Sequence, residues 1–279
     1  MSEVPNLTTG SGIEIPQVGF GTYKVTEGTA AIVESALEVG YRHLDTAQMY
    51  LNEPEVGDGW RAAGVPREQL FITSKLNNPN HEPRVARESF AQTLDDLQTD
   101  YVDLFLIHWP LPMYYGGDFG ATWAVLEEFL EDGRARAIGV SNFEIHHLEK
   151  LLETARVVPA VNQIESHPYF QEPELHAFNA RHGILTEAWS PLARGTVLKD
   201  PTLTQIAQDH GKSTSQVALR WALQRGDIIL PKSSTPERQK TNLELFDFEL
   251  SEDEMAQIYA LDRGEEGRTG KHPDVMNRM

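Results

Sequence analysis

Eight short apolar segments that alternate with amphipathic helical segments constrain the fold of this 279-residue chain more than any other feature. The apolar segments are predicted strands, and they end near the following residues: Gly21, Asp45, Lys75, His108, Val140, Ile164, Trp189 and Lys232. Strands that alternate with helices pair in parallel, and eight such units close best as a (β/α)8 TIM barrel. We therefore predict an α/β fold of this class.

Two additions to the barrel are predicted at its ends. Leu7 to Thr9 and Ile13 to Ile15 flank Gly10-Ser11-Gly12 and indicate an N-terminal β-hairpin. Ser251 and Glu254 form a capping-box pattern that opens a supplementary C-terminal helix over about 252–261. The polar residues 263–279 are expected to form a surface tail, and no break in composition divides residues 1–279 into more than one domain.

An open, doubly wound sheet is the alternative to a barrel. Such a sheet commonly carries a Gly-x-Gly-x-x-Gly fingerprint after its first strand. Here Gly19-Phe20-Gly21 supplies only two of the three glycines, so we favour the barrel.

The charge and composition exclude several classes of function. A net charge of −18 argues against nucleic acid or an anionic membrane as a partner. The N-terminus lacks the pattern of a signal peptide, and no apolar stretch approaches the roughly 20 residues of a membrane span. The absence of cysteine excludes disulfides and thiolate sites. We expect a monomer located in the cytoplasm.

Titratable residues gather at the predicted ends of the second, third and fourth strands. Asp45 and Lys75 end neighbouring apolar strands, where a buried carboxylate needs a cationic partner. Tyr50 follows Asp45, and His108 ends the next strand. A nearby ammonium favours the phenolate form of a tyrosine, which makes the phenol a better proton donor near neutral pH. The pattern therefore indicates a general acid for an oxyanion that forms on a carbonyl, with no metal required.

Other interpretations remain open at this point. Each of these residues taken singly is more typical of ordinary packing or of a structural ion pair. Lys75 could instead form a Schiff base with a substrate, as in aldolases, although pairing with Asp45 would keep it charged. A third possibility is a regulatory subunit that binds a cofactor without turnover. A metal-dependent hydrolase is remote, since no His-x-His pair appears.

Several motifs, in order along the chain, resemble those of the aldo-keto reductases. The first is Gly40-Tyr41-Arg42-His43-Leu44-Asp45-Thr46-Ala47 with Tyr50 and Asn52-Glu53. The others are Ile138-Gly139-Val140-Ser141-Asn142-Phe143, Asn162-Gln163-Ile164-Glu165 with His167-Pro168, Ser190-Pro191-Leu192, and Leu230-Pro231-Lys232-Ser233-Ser234. The resemblance covers about residues 7–262. It is closest to the prokaryotic branch with short loops that includes 2,5-diketogluconate reductases.

This resemblance implies NADPH-dependent reduction of an aldehyde or ketone by hydride transfer. It makes Tyr50 the proton donor, with Lys75 and Asp45 tuning it and His108 positioning the carbonyl. It also implies a set of residues that bind the cofactor: Gly21, Thr22, Asp45, Ser141, Asn142, Gln163, Trp189, Ser190, Leu192, Lys232, Ser233, Ser234, Arg238 and Asn242. Within this set Ser141, Asn142 and Gln163 would bind the nicotinamide carboxamide, and Trp189 would stack on the ring.

The residues around Arg238 have physical support of their own. Residues 230–242 contain Lys232, Arg238 and Lys240 with only one acid, Glu237. In so acidic a chain this basic segment suits a 2′-phosphate. A solvated turn before a helix is the alternative interpretation.

The substrate side departs from the family pattern. The tryptophan that often follows the catalytic lysine is missing, because Lys75 is followed by Leu76-Asn77-Asn78. Tyr23, Tyr50, His108 and Trp109 are the candidate substrate contacts, with Met49 and Tyr114 as further candidate walls. The loop 111–120 could be a lid or an ordinary surface loop.

Overall fold

Ten strands form a small hairpin and a closed barrel in the computed structural model, which describes residues 4–279. Asn6–Thr8 (β1) pairs with Glu14–Pro16 (β2) in antiparallel fashion. The barrel strands follow in chain order: Phe20–Gly21 (β3), His43–Asp45 (β4), Phe71–Leu76 (β5), Val102–Ile107 (β6), Ala135–Ser141 (β7), Val161–Glu165 (β8), Leu185–Trp189 (β9) and Ile228–Ile229 (β10). Each pairs with its sequence neighbour in parallel.

The first and last barrel strands meet and close the sheet. Val18 bridges Ile229 in parallel. The Gly19 amide donates to the Ile229 carbonyl and the Ile229 amide donates to the Gln17 carbonyl, each at 2.9 Å. The predicted (β/α)8 barrel with its N-terminal hairpin is therefore confirmed. The last strand ends at Ile229, somewhat earlier than the predicted Lys232.

Ten α-helices cover the outside of the barrel within the described residues. In chain order they are Thr29–Val39 (α1), Glu53–Ala62 (α2), Pro83–Asp96 (α3), Gly120–Glu131 (α4), Ile145–Leu152 (α5), Pro173–Arg181 (α6), Pro201–His210 (α7), Thr214–Gln224 (α8), Pro236–Thr241 (α9) and Glu252–Tyr259 (α10). The supplementary helix α10 begins at the predicted capping box, in which Ser251 and Glu254 bond to each other's backbone amides.

Helix α7 was not predicted from the sequence. Its start signal is present, however, because the Asp200 side chain accepts from the amides of Thr202 and Leu203, and Pro201 occupies the first helical position. The wide gap before the last strand therefore holds two helices.

Apolar side chains fill the space between strands and helices, and a smaller cluster lies at the N-terminal ends of the strands. Ile15 of the hairpin packs in this smaller cluster with Phe71, Val161 and Ile228. The hairpin therefore covers the bottom of the barrel. The opposite end, where the strands finish, is left for polar side chains.

Candidate active site

Asp45, Tyr50 and Lys75 form one hydrogen-bonded group at the C-terminal ends of β4 and β5. Lys75 Nζ lies 2.7 Å and 2.8 Å from the two carboxylate oxygens of Asp45, 2.8 Å from the Thr46 carbonyl oxygen and 3.3 Å from the Tyr50 hydroxyl. Lys75 is completely buried. Tyr50 ends a short 3₁₀ turn that directs its phenol back over the strand ends. The structure therefore brings together three of the four residues predicted to carry the chemistry.

Burial and neighbouring charges together set the pKa values of this group. Burial alone would lower the pKa of Lys75, but the Asp45 carboxylate and the Tyr50 hydroxyl raise it above its usual value. Burial raises the pKa of Tyr50 to about 12, and the Lys75 ammonium only partly offsets this. The nearby ammonium thus acts on the Tyr50 pKa in the expected direction, but desolvation of the phenolate outweighs it.

His108 is the fourth member of the group and follows β6. Its ring centroid lies 5.7 Å from that of Tyr50, and the two rings meet edge to face. Burial, with a further contribution from the Lys75 charge, holds the pKa of His108 well below its usual value, so the ring is neutral. Its Nδ1 atom is buried without a hydrogen-bond partner among residues 4–279. Nε2 is therefore the ring nitrogen available to a ligand.

A cavity of about 580 Å³ opens over these residues. Most of the candidate site residues line it: Gly21, Tyr23, Asp45, Tyr50, His108, Trp109, Ser141, Asn142, Gln163, Trp189, Ser190, Leu192 and Lys232. Thr22 and Lys75 lie beneath its surface, and both are fully buried. Ser233, Ser234, Arg238 and Asn242 are not among the lining residues. A cavity of this size suits a small-molecule ligand.

The side-chain amides at the cavity floor are held in a fixed network. Asn142, at a left-handed φ of 62°, donates to the His108 carbonyl and accepts from Trp189 Nε1 at 2.9 Å. Ser141 donates to the Gln163 carbonyl at 2.8 Å. The Gln163 side-chain Nε2 donates to Asp45 at 2.8 Å, and its side-chain Oε1 has no hydrogen-bond partner within residues 4–279. The network orients Trp189 as one wall of the cavity.

Glu187 is a buried acid that the sequence analysis overlooked. It lies in β9, fully buried, and accepts from Gln163 Nε2 at 3.1 Å. Its other oxygen lies 3.6 Å from His43 Nε2. Burial and the nearby Asp45 charge raise the pKa of Glu187 to about 8, while burial lowers the pKa of His43 to about 4. A carboxylate in the middle of an apolar strand was the available signal.

The basic segment after β10 lies at one edge of the cavity. Lys232 lines the cavity and donates to the Lys24 carbonyl at 3.1 Å. Ser233 is buried, whereas Ser234 and Arg238 are exposed. Arg238 lies in α9, and its side chain forms no salt bridge within residues 4–279. The segment therefore presents cationic and hydroxyl groups beyond the cavity mouth.

The residues after Arg263, for which we expected a surface tail, are mostly exposed or half-buried but are bonded to the rest of the protein. The amides of Thr269 and Gly270 donate to the Glu165 carboxylate at 2.8 Å and 2.7 Å. Arg268 is 9% exposed and pairs with Glu144, Glu172 and Glu265. The tail is therefore anchored across the ends of the strands through contacts between residues that are distant in sequence.

The anchored tail contributes part of the cavity wall through Gly270, Lys271, Met276 and Arg278. Met276 is buried against Trp109 and Leu111. Of the other candidate walls, Met49 lines the cavity, whereas Tyr114 packs beside this cluster and is not among the lining residues. Residues 111–120 likewise do not line it within the described chain.

One group outside the cavity has the spacing of a metal site. His146 and His147 each place a ring nitrogen 3.0 Å from an Asp274 oxygen. His147 Nδ1, however, accepts from the Glu144 amide, which leaves the ring proton on Nε2, the atom that faces Asp274. A neutral ring in this tautomer has no lone pair for a metal there. The group therefore fits a tail contact better than a cation site.

The described chain contains no helix that is long and apolar enough to cross a membrane.

The chain is similar to known proteins both in sequence and in structure. Residues 17–263 match the model of the Aldo/keto reductase family. The chain is 47% identical to a glyoxal reductase of Bacillus subtilis (strain 168), with 95% of each chain covered. It is 42% identical to a methylglyoxal reductase of Escherichia coli (strain K12), with 94% of each covered. The crystal structure of a Gox0644 mutant in complex with NADPH superposes with a TM-score of 0.94 at 38% identity, covering 99% of this chain and 100% of the other.

Proposed function

Because the chain belongs to the aldo/keto reductase family, we propose that it reduces the carbonyl group of an aldehyde or ketone to an alcohol, using NADPH and Tyr50 as the proton donor. The observation that carries this proposal is the position of Lys75 Nζ. It contacts the Asp45 carboxylate, the Thr46 carbonyl oxygen and the Tyr50 hydroxyl at once. An ammonium fixed in this way stabilises the phenolate that remains after proton transfer.

The cavity and its donors fit a nicotinamide dinucleotide. Bound there, the cofactor would supply a hydride to the carbonyl carbon. Trp189 would lie against the nicotinamide ring, and the free Gln163 oxygen together with Asn142 and Ser141 would bind its carboxamide. The main-chain and side-chain groups of Gly21, Thr22, Ser190 and Leu192 would flank the diphosphate. Lys232, Ser233, Ser234 and Arg238 would bind the 2′-phosphate, with Asn242 next to the adenine.

Residues of the protein then control the transfer of a proton to the substrate oxygen. As the hydride reaches the carbonyl carbon, the electron pair of the C=O bond moves to oxygen, which takes the Tyr50 proton. The neutral His108 ring donates an Nε2 hydrogen bond to the same oxygen and so fixes the carbonyl against Tyr50. A pKa of about 12 keeps Tyr50 protonated before the reaction. Charge that develops on the substrate oxygen is met by Lys75 through the phenol.

Small 2-oxoaldehydes are the first substrates to consider, since relatives are named as glyoxal and methylglyoxal reductases. Tyr23, Met49 and Trp109 would form the walls around the reacting carbonyl. Met276 of the tail, which packs with Trp109 and lines the cavity, would add to these walls.

We further propose that residues 1–279 form one domain that works as a monomer in the cytoplasm, without nucleic acid or membrane partners. The net charge of −18 supports the absence of anionic partners. The Schiff-base alternative loses support because Lys75 is charged and has three hydrogen-bonding residues around it.

The test combines binding and turnover. Titration of the protein with NADPH and with NADH should quench tryptophan fluorescence through Trp189, with the tighter response to NADPH. Addition of methylglyoxal or glyoxal should then oxidise the bound NADPH. Tight binding of NADPH without turnover over a broad carbonyl panel would favour a regulatory binder. If neither fluorescence nor calorimetry detected binding of NADPH or NADH, the proposal would be overturned.

A further inference from the structure

The C-terminal tail carries two cations that the proposed chemistry does not use. Lys271 and Arg278 both line the cavity and both are exposed. The Lys271 ammonium donates only to the neutral amide oxygen of Asn277, at 3.2 Å. The Arg278 side chain has no hydrogen bond or salt bridge to any residue from 4 to 279. Neither cation has a carboxylate partner in that part of the chain.

These two cations lie in a protein of net negative charge, which has 42 acidic residues against 24 basic ones. Arg268 of the same tail is surrounded by three glutamates within 3.5 Å. Within residues 4–279, Asp45 is the only carboxylate that lines the cavity, and Lys75 already neutralises it. The cavity is therefore a positive region in an anionic protein, which attracts and orients anions.

The proposed cofactor accounts for only part of this positive charge. Lys24, Arg194 and Lys232 line the cavity in the segments after β3, β9 and β10, where its phosphates would bind. Lys271 and Arg278 instead belong to the segment whose Met276 packs on Trp109, the side assigned to substrate. The charge of Lys271 and Arg278 is therefore available to a ligand other than the dinucleotide.

The tail holds these two cations in place from both sides. Upstream, Glu165 binds the amides of Thr269 and Gly270. Downstream, Asn78 Nδ2 donates to the Arg278 carbonyl oxygen at 2.6 Å. The backbone that carries both side chains is thereby fixed before any ligand arrives, which reduces the entropic cost of binding.

We propose that Lys271 and Arg278 form a subsite for an anionic group on the substrate, so that the enzyme prefers carbonyl compounds that carry a charge such as a carboxylate. The inference rests on the proposed function and extends it to a substrate class, since glyoxal and methylglyoxal are neutral. The guanidinium offers a paired donor edge to a carboxylate, and the ammonium adds a second charge.

The experiment compares two aldehydes of nearly equal shape, 4-formylbenzoate and its methyl ester, in the full-length protein with saturating NADPH. The wild-type enzyme should favour the acid in kcat/KM. In the double variant Lys271→Gln with Arg278→Gln, kcat/KM for the acid should fall at least about tenfold, the size expected for loss of a charge-assisted contact. The ester should change far less. Added salt should reduce the wild-type preference.

The double variant Lys199→Gln with Arg181→Gln is the matched control, because both residues are exposed, neither lines the cavity, and the pair also removes one lysine and one arginine. This control should keep the wild-type preference. An equal loss for acid and ester in the double variant, or a wild-type preference for the ester, would overturn the subsite. If the wild-type protein binds NADPH yet reduces neither these aldehydes nor methylglyoxal, the proposed function itself fails, and the subsite falls with it.

Discussion

The amide nitrogen of Gln163 lies 3.1 Å from a carboxylate oxygen of Glu187, and the same nitrogen lies 2.8 Å from Asp45. One amide therefore links two buried acids, of which only Asp45 has a cationic partner. Since both could not be ionised at so small a separation without a large electrostatic cost, Glu187 is the one that holds a proton. The orientation of Gln163 then depends on the protonation of Glu187.

Replacement of Glu187 by Gln should make stability less dependent on pH. The pKa of Glu187 is raised to about 8 in the folded state, whereas an unfolded glutamate titrates near 4.3. The folded state therefore binds more protons between these values, and the free energy of unfolding falls as pH rises through that window. Glu187→Gln lacks this loss. The melting temperature of the variant minus that of wild type should therefore increase from pH 5 to pH 8. The increase should be about 2–4 °C for each kcal/mol of difference in the free energy of unfolding, as for chains of similar size. A constant difference across this range would contradict the assignment.

Replacement of Tyr50 by Phe should remove the proton donor while leaving cofactor binding intact. We expect kcat to fall by roughly 10²–10⁴-fold, the usual contribution of general acid catalysis. The fluorescence titration with NADPH should be almost unchanged. Tyr259→Phe is the matched control, because Tyr259 is 45% exposed and does not line the cavity. Full activity in Tyr50→Phe would end the proposed role.

Removal of the Arg238 guanidinium should change the preference between the two dinucleotides. Arg238→Gln should weaken NADPH binding by about tenfold or more, as expected for a lost charge-assisted contact with a phosphate, with little effect on NADH. Lys240→Gln provides the comparison. Lys240 lies on the same helix α9 as Arg238, but unlike Arg238 it already has a carboxylate partner, Glu244, at 3.9 Å. Equal weakening of both dinucleotides by Arg238→Gln would show that this residue does not read the 2′-phosphate.

A methyl group at Gly270 should displace the tail from the cavity. A Cβ there would lie 2.5 Å from the Trp189 ring and 2.8 Å from Glu165, distances that require a shift of the tail or the ring. Gly270→Ala should therefore raise KM for substrate and alter the tryptophan emission. Gly10→Ala serves as the control, because its added Cβ would meet only a carbonyl oxygen at an ordinary 3.7 Å. Unchanged KM and emission in Gly270→Ala would mean that the tail adapts without leaving its place.

The fold was predictable because its signals are local. Alternation of short apolar strands with amphipathic helices predicts the barrel, and the capping box at Ser251 predicts the start of α10. The positions of Asp45, Lys75 and His108 followed from the same pattern, since polar side chains at the ends of parallel strands gather at one end of a barrel.

The features that escaped prediction depend on contacts between distant residues or on burial. The docking of the tail needs the Glu165 carboxylate to meet the amides of Thr269 and Gly270, and no local pattern indicates that pairing. The raised pKa of Tyr50 reflects a balance between desolvation and charge that only the three-dimensional arrangement sets. The helix α7 is different, because Asp200-Pro201 was a readable start that the analysis overlooked.

The bridge between Val18 and Ile229 also determines when the first strand of the barrel becomes stable relative to the other strands. The strand that begins the barrel stays unpaired on one side until the last strand has formed, because its second neighbour comes from the far end of the chain. Closing so long a loop carries a large entropic cost that only the completed ring of strands repays. The amide hydrogens of Gly19 and Ile229, which span this seam, should therefore exchange with solvent only when the whole barrel opens.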